Sequence, residues 1–226
     1  MRASLLTIPL DEIMDPKCGC PICRMRDMLE ERAVEYIMGA AMMEPDVRIE
    51  TNKQGFCKEH FEMMRKGRNS LPLALVIQSH LQYIQKNIYE HKSVFEKKDA
   101  KKKKVSAINN DCFICNKIEW GMSRILVTFF EMFEKDKNFR NQFDEQEMLC
   151  LPHYEMLIEQ SENNMDKKYQ KIFIDSCNKL VGKYLDTLIK DVSHYCDMYD
   201  YHNADSNDWG NSKDSIERTI KFLTTR

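Results

Sequence analysis

Cysteine and histidine recur in two short patterns, and the chain contains each pattern twice. A Cys-x-x-Cys pair opens each half, and a Cys-x-x-His follows it after 34 residues in the first half and 35 in the second. Thiolate and imidazole are the ligands that zinc takes in closed structural sites. The eight residues, in chain order, are Cys20, Cys23, Cys57 and His60, then Cys112, Cys115, Cys150 and His153.

Each pattern has a local geometry that suits metal binding. When the chain turns into a helix at a Cys-x-x-Cys, both thiols can point at one ion, and the helix N-terminus favours their anionic form. Cys57 and His60 are three residues apart and share one face of a helix. We therefore predict one Cys3His site in each half, with the first four residues in one site and the last four in the other. An exchange of ligands between the halves, or a vestigial site, stays open.

The ligand set also predicts the metal and its use. Cys3His favours zinc over an iron–sulfur cluster, so two zinc ions per chain are expected. Four protein ligands are typical of a structural site, because catalytic zinc keeps a position open. A non-catalytic binding or adaptor protein with an unknown protein or small-molecule partner is the favoured function. The alternatives are a thiol redox or metal-dependent enzyme using the Cys-x-x-Cys pairs, or a metal or redox sensor.

A few other residues could also do chemistry, although their patterns are weaker. The cysteines outside the repeated motifs are Cys18, Cys177 and Cys196. Asp191 and His194 are three residues apart, near His202, and such a pair on a bundle helix can bind metal. No matching pair occurs elsewhere, so an aromatic and polar helix face is the favoured interpretation. His80 lies among apolar positions and is expected to be a hydrogen-bonded core histidine.

The elements that position these residues are predicted to be helices throughout. Apolar residues recur at intervals of three and four, and no alternating stretch is long enough for a strand. Helices are expected from Pro21 to about Met43, from Cys57 to Lys66, and from Pro72 onward. The second half repeats this plan, with a longer helix from Asp166 to about Tyr201. The fold class is therefore all-α, with two pseudo-repeated helical halves and a C-terminal helix.

The predicted domain boundaries follow the repeat. The first helical repeat spans 1–96, a lysine-rich linker 97–110, and the second repeat 111–226. Residues 96–104 contain six lysines and two acids, a net charge of +4. Because the net charge of the whole chain is −2, the remaining residues have a net charge of −6. Like charges this dense predict an exposed, flexible connector.

Composition limits the class of protein. With 42% hydrophobic and 31% charged residues in 226, the chain has the composition of a folded protein. A net charge of −2 argues against a general nucleic-acid binder. The short apolar start contains Pro9 and is followed by Asp11 and Glu12, which is untypical of a signal peptide. We expect a cytoplasmic protein that does not enter a membrane, in which clustered thiols are reduced.

Several segments together resemble a known protein family. They are Thr7-Ile8-Pro9, Cys20-Pro21-Ile22-Cys23, Met38-Gly39, Met43 to Arg48, Gly55 to His60, and Asn69 to Leu75. The chain resembles, over nearly its whole length, an uncharacterised family from anaerobic Firmicute-type bacteria that is known as a domain of unknown function. The resemblance implies a bacterial cytosolic protein. It implies no activity, cofactor or catalytic residue.

Overall fold

A computed structural model of the chain describes residues 10–67, 69–90, 98–199 and 208–225. All regular structure in these ranges is helical, which confirms the all-α prediction. The α-helices are α1 (Leu10–Met14), α2 (Pro21–Met38), α3 (Pro45–Gln54), α4 (Lys58–Arg65), α5 (Ser70–Ile84), α6 (Lys98–Asn109), α7 (Phe113–Lys135), α8 (Lys137–Asp144), α9 (Leu151–Asn164), α10 (Lys167–Asp197) and α11 (Ser215–Thr224). None of the helices in the described part of the chain has the length and apolar character needed to cross a membrane.

The chain forms two compact units. The terminal unit consists of the described parts of Met1–Met25 and Arg124–Arg226, and the central unit is Arg26–Ser123. The boundaries fall inside α2 and α7, so each unit contains segments from both sequence halves, 1–96 and 111–226. The terminal unit therefore combines two segments that are far apart in the sequence.

The lysine-rich segment is a helix where a flexible linker was expected. Its described part forms α6, and Lys101 to Lys104 are exposed on it. Lysine is a good helix former, and Val105 and Ile108 give the helix a half-buried side. Lys101 Nζ also lies 4.1 Å from the ring centroid of Tyr89. Packing and cation–π contact thus offset the repulsion on which the linker prediction rested. Lys97 lies outside the described residues.

The core of the terminal unit is built from phenylalanines. Phe173 on α10 contacts rings from α7 and α8, and its centroid is 4.9 Å from that of Phe133. Most of these ring pairs meet edge to face, the arrangement that aromatic quadrupoles prefer. The fully buried rings of this cluster are Phe129, Phe130, Phe133, Phe139, Phe143 and Phe173, and Phe222 on α11 is also fully buried. This core holds the helices that follow the second Cys-x-x-Cys.

The core of the central unit includes part of the cysteine chemistry. Cys112 is buried in one apolar cluster with Phe56, Met64, Val76 and Phe113. Phe56 meets Phe61 edge to face at a centroid distance of 5.4 Å. The residues beside the motifs are therefore core residues, and packing of the core fixes the positions of the thiols.

Candidate metal centres

Both Cys-x-x-Cys pairs lie at the start of a helix. Cys20 immediately precedes α2, and its carbonyl accepts a hydrogen bond from Arg24 N–H at 3.2 Å. Cys112 precedes α7 in the same way, with Asn116 N–H donating to its carbonyl at 3.0 Å. Cys23 and Cys115 fall in the first turns of these helices. The two thiols of each pair therefore lie at the positive end of a helix dipole, which favours thiolates.

The Cys-x-x-His motifs use the same local structure. Cys57 is the N-cap residue of α4 and Cys150 is the N-cap residue of α9. Their carbonyls begin the helical hydrogen-bond ladder, at 3.0 Å from Phe61 N and 2.9 Å from Tyr154 N. Each histidine follows in the first helical turn. All four motifs thus place one ligand just before a helix and one inside its first turn.

The structure groups the motifs in a way that the sequence interpretation did not choose. Each Cys-x-x-Cys lies beside the Cys-x-x-His of the other sequence half, so the predicted grouping by halves is wrong. The first site is Cys20, Cys23, Cys150 and His153, and the second site is Cys57, His60, Cys112 and Cys115. In each group the potential ligand atoms lie within 4.8 Å of one another. Each site is contained in one compact unit, the first in the terminal unit and the second in the central unit.

In the first site the three sulfurs surround one imidazole nitrogen. His153 Nδ1 is 3.1 Å from Cys150 Sγ, 3.3 Å from Cys23 Sγ and 3.6 Å from Cys20 Sγ. Cys20, Cys150 and His153 are buried, and Cys23 is half-buried. The four donors could therefore hold a metal ion with little access for solvent.

Arg24 and Gln146 organise the chain around the first site. Arg24 donates to the carbonyl of Ile13 from Nη2 at 2.8 Å and to the side-chain oxygen of Gln146 at 2.6 Å. Gln146 in turn donates to the carbonyl of Met14 at 2.7 Å. Gly19, at φ 67°, adopts the left-handed conformation that brings the chain into Cys20. These bonds connect the segment before the Cys-x-x-Cys to the segment before Cys150.

The second site has the same donor arrangement but is more open. His60 Nδ1 is 3.0 Å from Cys57 Sγ, 3.3 Å from Cys112 Sγ and 3.5 Å from Cys115 Sγ. Cys112 and His60 are buried, Cys57 is half-buried and Cys115 is exposed. One edge of this ligand set therefore faces solvent.

Gly55 brings the two motifs of the second site together. Its carbonyl accepts a hydrogen bond from Phe113 N–H at 3.0 Å, which joins the segment before Cys57 to the start of α7. Its backbone has φ 68° and ψ −159°, a region that only glycine adopts readily. A Cβ at this position would also lie 3.2 Å from the ring of His80. Glycine is therefore the residue that this approach requires.

Electrostatics in the second site favours one thiolate over the others. Burial acts to raise the pKa of Cys112, but hydrogen bonds from His60 and from backbone N–H groups outweigh it and lower that pKa to about 6. Burial and the neighbouring Cys112 raise the pKa of Cys115 to about 12. Burial opposes protonation of His60, yet contact with Cys112 and Glu30 raises its pKa. A positive charge among the sulfurs would allow all three to ionise, and a divalent cation supplies it.

The first site shows the same pattern. Burial opposes ionisation of Cys20, but hydrogen bonds with Cys150, Cys23 and His153 hold its pKa well below the ordinary value. The hydrogen bond with Cys20 raises the pKa of Cys150 to about 12. Hydrogen bonds with Cys150 and Cys20 also raise the pKa of Cys23. Both groups thus contain more potential negative charge than they can carry without a cation.

The weaker candidates do not form a further group among the described residues. Asp191 accepts a hydrogen bond from Arg218 at 2.8 Å, and His194 Nε2 is 2.9 Å from the carbonyl of Asp208. His202 lies outside the described residues. His80 is buried, with Nδ1 at 2.9 Å from the carbonyl of Asn52, as expected for a core histidine.

The three remaining cysteines differ in exposure. Cys177 is fully buried, and burial raises the pKa of its thiol. Cys18 and Cys196 are exposed. None of the three joins either ligand group.

Sequence reasoning missed one residue beside the second site. Glu30, on α2, is buried with its Oε1 atom 3.1 Å from His60 Nε2. The available signal was weak, since Glu30 is one of four acids between Pro21 and Met38.

These features define an all-α protein with two Cys3His groups that could hold metal ions, each formed by two helix N-termini. The chain belongs to the family of unknown function DUF6062, whose family model matches residues 1–226. The resemblance seen in the sequence is confirmed by this match. No curated protein and no solved structure matches the chain.

Proposed function

We propose that this protein is a non-catalytic binding or adaptor protein whose two Cys3His groups each hold a structural zinc ion. The observation that carries the proposal is the closed ligand set: three sulfurs and one imidazole nitrogen converge within 4.8 Å in each group. Four protein donors satisfy tetrahedral zinc and leave no position for a substrate. The mixed donor set supports zinc over an iron–sulfur cluster, which is usually held by four cysteines.

In this proposal each zinc ion joins two helices that are distant in sequence. The first site connects the N-termini of α2 and α9, and the second connects those of α4 and α7. Because such a site does not exist in the unfolded chain, its binding free energy contributes directly to folding. The metal would therefore stabilise the fold of the unit that contains it.

Exposed apolar side chains support a binding role. Ile189 on α10 is 57% exposed, and Ile220 and Leu223 on α11 are each 50% exposed. A protein partner or a small ligand could cover such side chains. None of the nine cysteines forms a disulfide, which suits the reducing cytoplasm as the proposed location.

Metal analysis tests the zinc proposal. Protein purified without a metal-affinity step should contain about two zinc ions per chain and show no visible chromophore. Cys20→Ser should reduce the zinc content to about one ion, because it removes one ligand of the first site. Cys18→Ser is the matched control, since Cys18 is an exposed thiol two residues away that belongs to neither group. It should leave both ions bound.

If the purified protein contained iron and had a visible absorption spectrum, the bound group would be an iron–sulfur cluster, and the zinc assignment would be wrong. Metal-free protein that remains folded with reactive thiols would contradict it altogether.

Thiol redox chemistry at Cys112 and Cys115 is the second candidate function. It is favoured by the pKa of about 6 at Cys112, because a low-pKa thiolate is the nucleophile in thiol exchange. Cys112 itself is buried, and the exposed thiol of the pair is Cys115. It predicts rapid alkylation of one of these thiols in the native protein as purified. Under the structural-zinc proposal the same thiols react only after chelation.

A further inference from the structure

A carboxylate lies directly behind the histidine of the second site. Glu30 Oε1 is 3.1 Å from His60 Nε2, and the exposed fractions of the two side chains are 6% and 3%. Burying a carboxylate costs free energy unless it is paired and hydrogen-bonded. The hydrogen bond with His60 reduces this cost for Glu30.

The two nitrogens of His60 face different groups. Nδ1 faces the sulfurs, at 3.0 Å from Cys57 and 3.3 Å from Cys112, whereas Nε2 faces Glu30. With Nδ1 bound to metal, the ring proton is on Nε2, and the Nε2–H group donates a hydrogen bond to the Glu30 carboxylate. Such an outer hydrogen bond fixes the tautomer and the ring orientation, and it raises the basicity of the ligand nitrogen.

The histidine of the first site has a different environment. His153 presents Nδ1 to three sulfurs in the same way, at 3.1 to 3.6 Å. Among the residues that the structure describes, however, no carboxylate pairs with His153. The two ligand sets are alike at the sulfurs and differ behind the imidazole.

We propose that Glu30 is a positioning residue for the second site, and that it makes the two sites chemically non-equivalent. It holds His60 as the Nε2–H tautomer with Nδ1 directed at the metal, and it strengthens His60 as a ligand. This inference rests on the proposed zinc binding.

The effect is tested by replacing Glu30. Glu30→Gln removes the carboxylate charge and should lower the zinc affinity of one site roughly 10- to 100-fold, the usual effect of losing such an outer partner. The other zinc ion should bind as in the unmodified protein. Glu31→Gln is the matched control, because Glu31 is the next residue on α2 and is exposed. Zinc transfer to a chromophoric chelator of known affinity measures both sites in one titration.

Nitrogen NMR of the ¹⁵N-histidine-labelled, zinc-loaded protein gives a readout that a general loss of stability would not produce. His60 should show a metal-bound Nδ1 and a protonated Nε2 that exchanges slowly with solvent. In Glu30→Gln the Nε2 proton should exchange faster, while the signals of His153 remain unchanged.

Each outcome decides a different point. If the unmodified protein binds no zinc, the proposed function and this inference both fail. If it binds two zinc ions and Glu30→Gln leaves both affinities unchanged, or lowers both equally, only the role of Glu30 is overturned. If Glu30→Gln does not fold, the unmodified protein decides: a metal-bound Nε2, or the absence of a slowly exchanging Nε2 proton on His60, overturns the inference.

Discussion

At the scale of single residues, four cysteines have two roles at once. Cys20, Cys57, Cys112 and Cys150 each stand immediately before a helix, and each also supplies a sulfur to a ligand group. The helix start fixes the direction of the next ligand three residues on, and the helix dipole favours ionisation of the thiols. The same position therefore sets both local structure and chemistry.

The observed grouping of ligands predicts which thiols respond to a single substitution. Cys23→Ser should weaken the first site, so that iodoacetamide modifies Cys20 and Cys150 while Cys57 stays protected. Peptide mass spectrometry of the alkylated protein measures this. Cys115→Ser is the reciprocal variant and should expose Cys57 instead. Labelling of Cys57 in Cys23→Ser, with Cys150 protected, would restore the grouping by sequence halves.

At the scale of elements, the helix starts were more predictable than the buried faces. Pro21 begins α2 as predicted, because proline suits the first helical position. The helix ends at Met38, however, and a 3-10 helix covers Ala40–Met43 of the stretch predicted as α-helix. On α5, Leu81 is 59% exposed, whereas Leu73 and Val76 are buried. Apolar residues occur on several sides of α5, and the neighbouring helices decide which side they cover.

The cap of α8 provides a quantitative test at this scale. Asp136 accepts hydrogen bonds from Asn138 N–H at 2.7 Å and Phe139 N–H at 3.4 Å. Asp136→Ala should therefore lower the free energy of unfolding by about 1 kcal/mol, as for other lost N-caps. Asp166→Ala is the control, since Asp166 precedes α10 without a capping hydrogen bond from its side chain. Urea denaturation of the zinc-loaded variants measures both, and equal losses would show that the Asp136 cap contributes nothing specific.

At the scale of the whole molecule, each compact unit contains one complete ligand group. The terminal unit contains the first site and a phenylalanine core, and the central unit contains the second site next to its own apolar cluster. Metal lost from one site should therefore destabilise one unit first, because the binding free energy belongs to the elements that the site connects.

Hydrogen exchange measures this selectivity. In Cys23→Ser, backbone amides of α9 and α10 should exchange faster than in the unmodified protein, while those of α3 and α5 keep their protection. Cys115→Ser should show the opposite distribution. Loss of protection in all four helices with either variant would mean that the two units unfold as one cooperative body.

The sequence alone determined the features that act within a few residues. The donor types, the three-residue spacing of each ligand pair and the helical periodicity are all local, since residues three apart on a helix share a face. They predicted the eight candidate ligands, the all-α class and most helix starts. The prediction of a flexible linker weighed charge repulsion without the packing of Val105 and Ile108, and the described part of that segment is the helix α6.

Only the tertiary structure decided how the motifs combine. Both Cys-x-x-Cys pairs are chemically alike, and so are both Cys-x-x-His motifs, so nothing in their composition distinguishes the two possible groupings. The choice depends on which helix N-termini the packed cores bring together, as when Gly55 binds the start of α7 and places Cys57 beside Cys112. The same holds for Glu30, which reaches His60 across 30 residues of chain. Contacts of this kind are fixed by helix packing, which short-range sequence patterns do not encode.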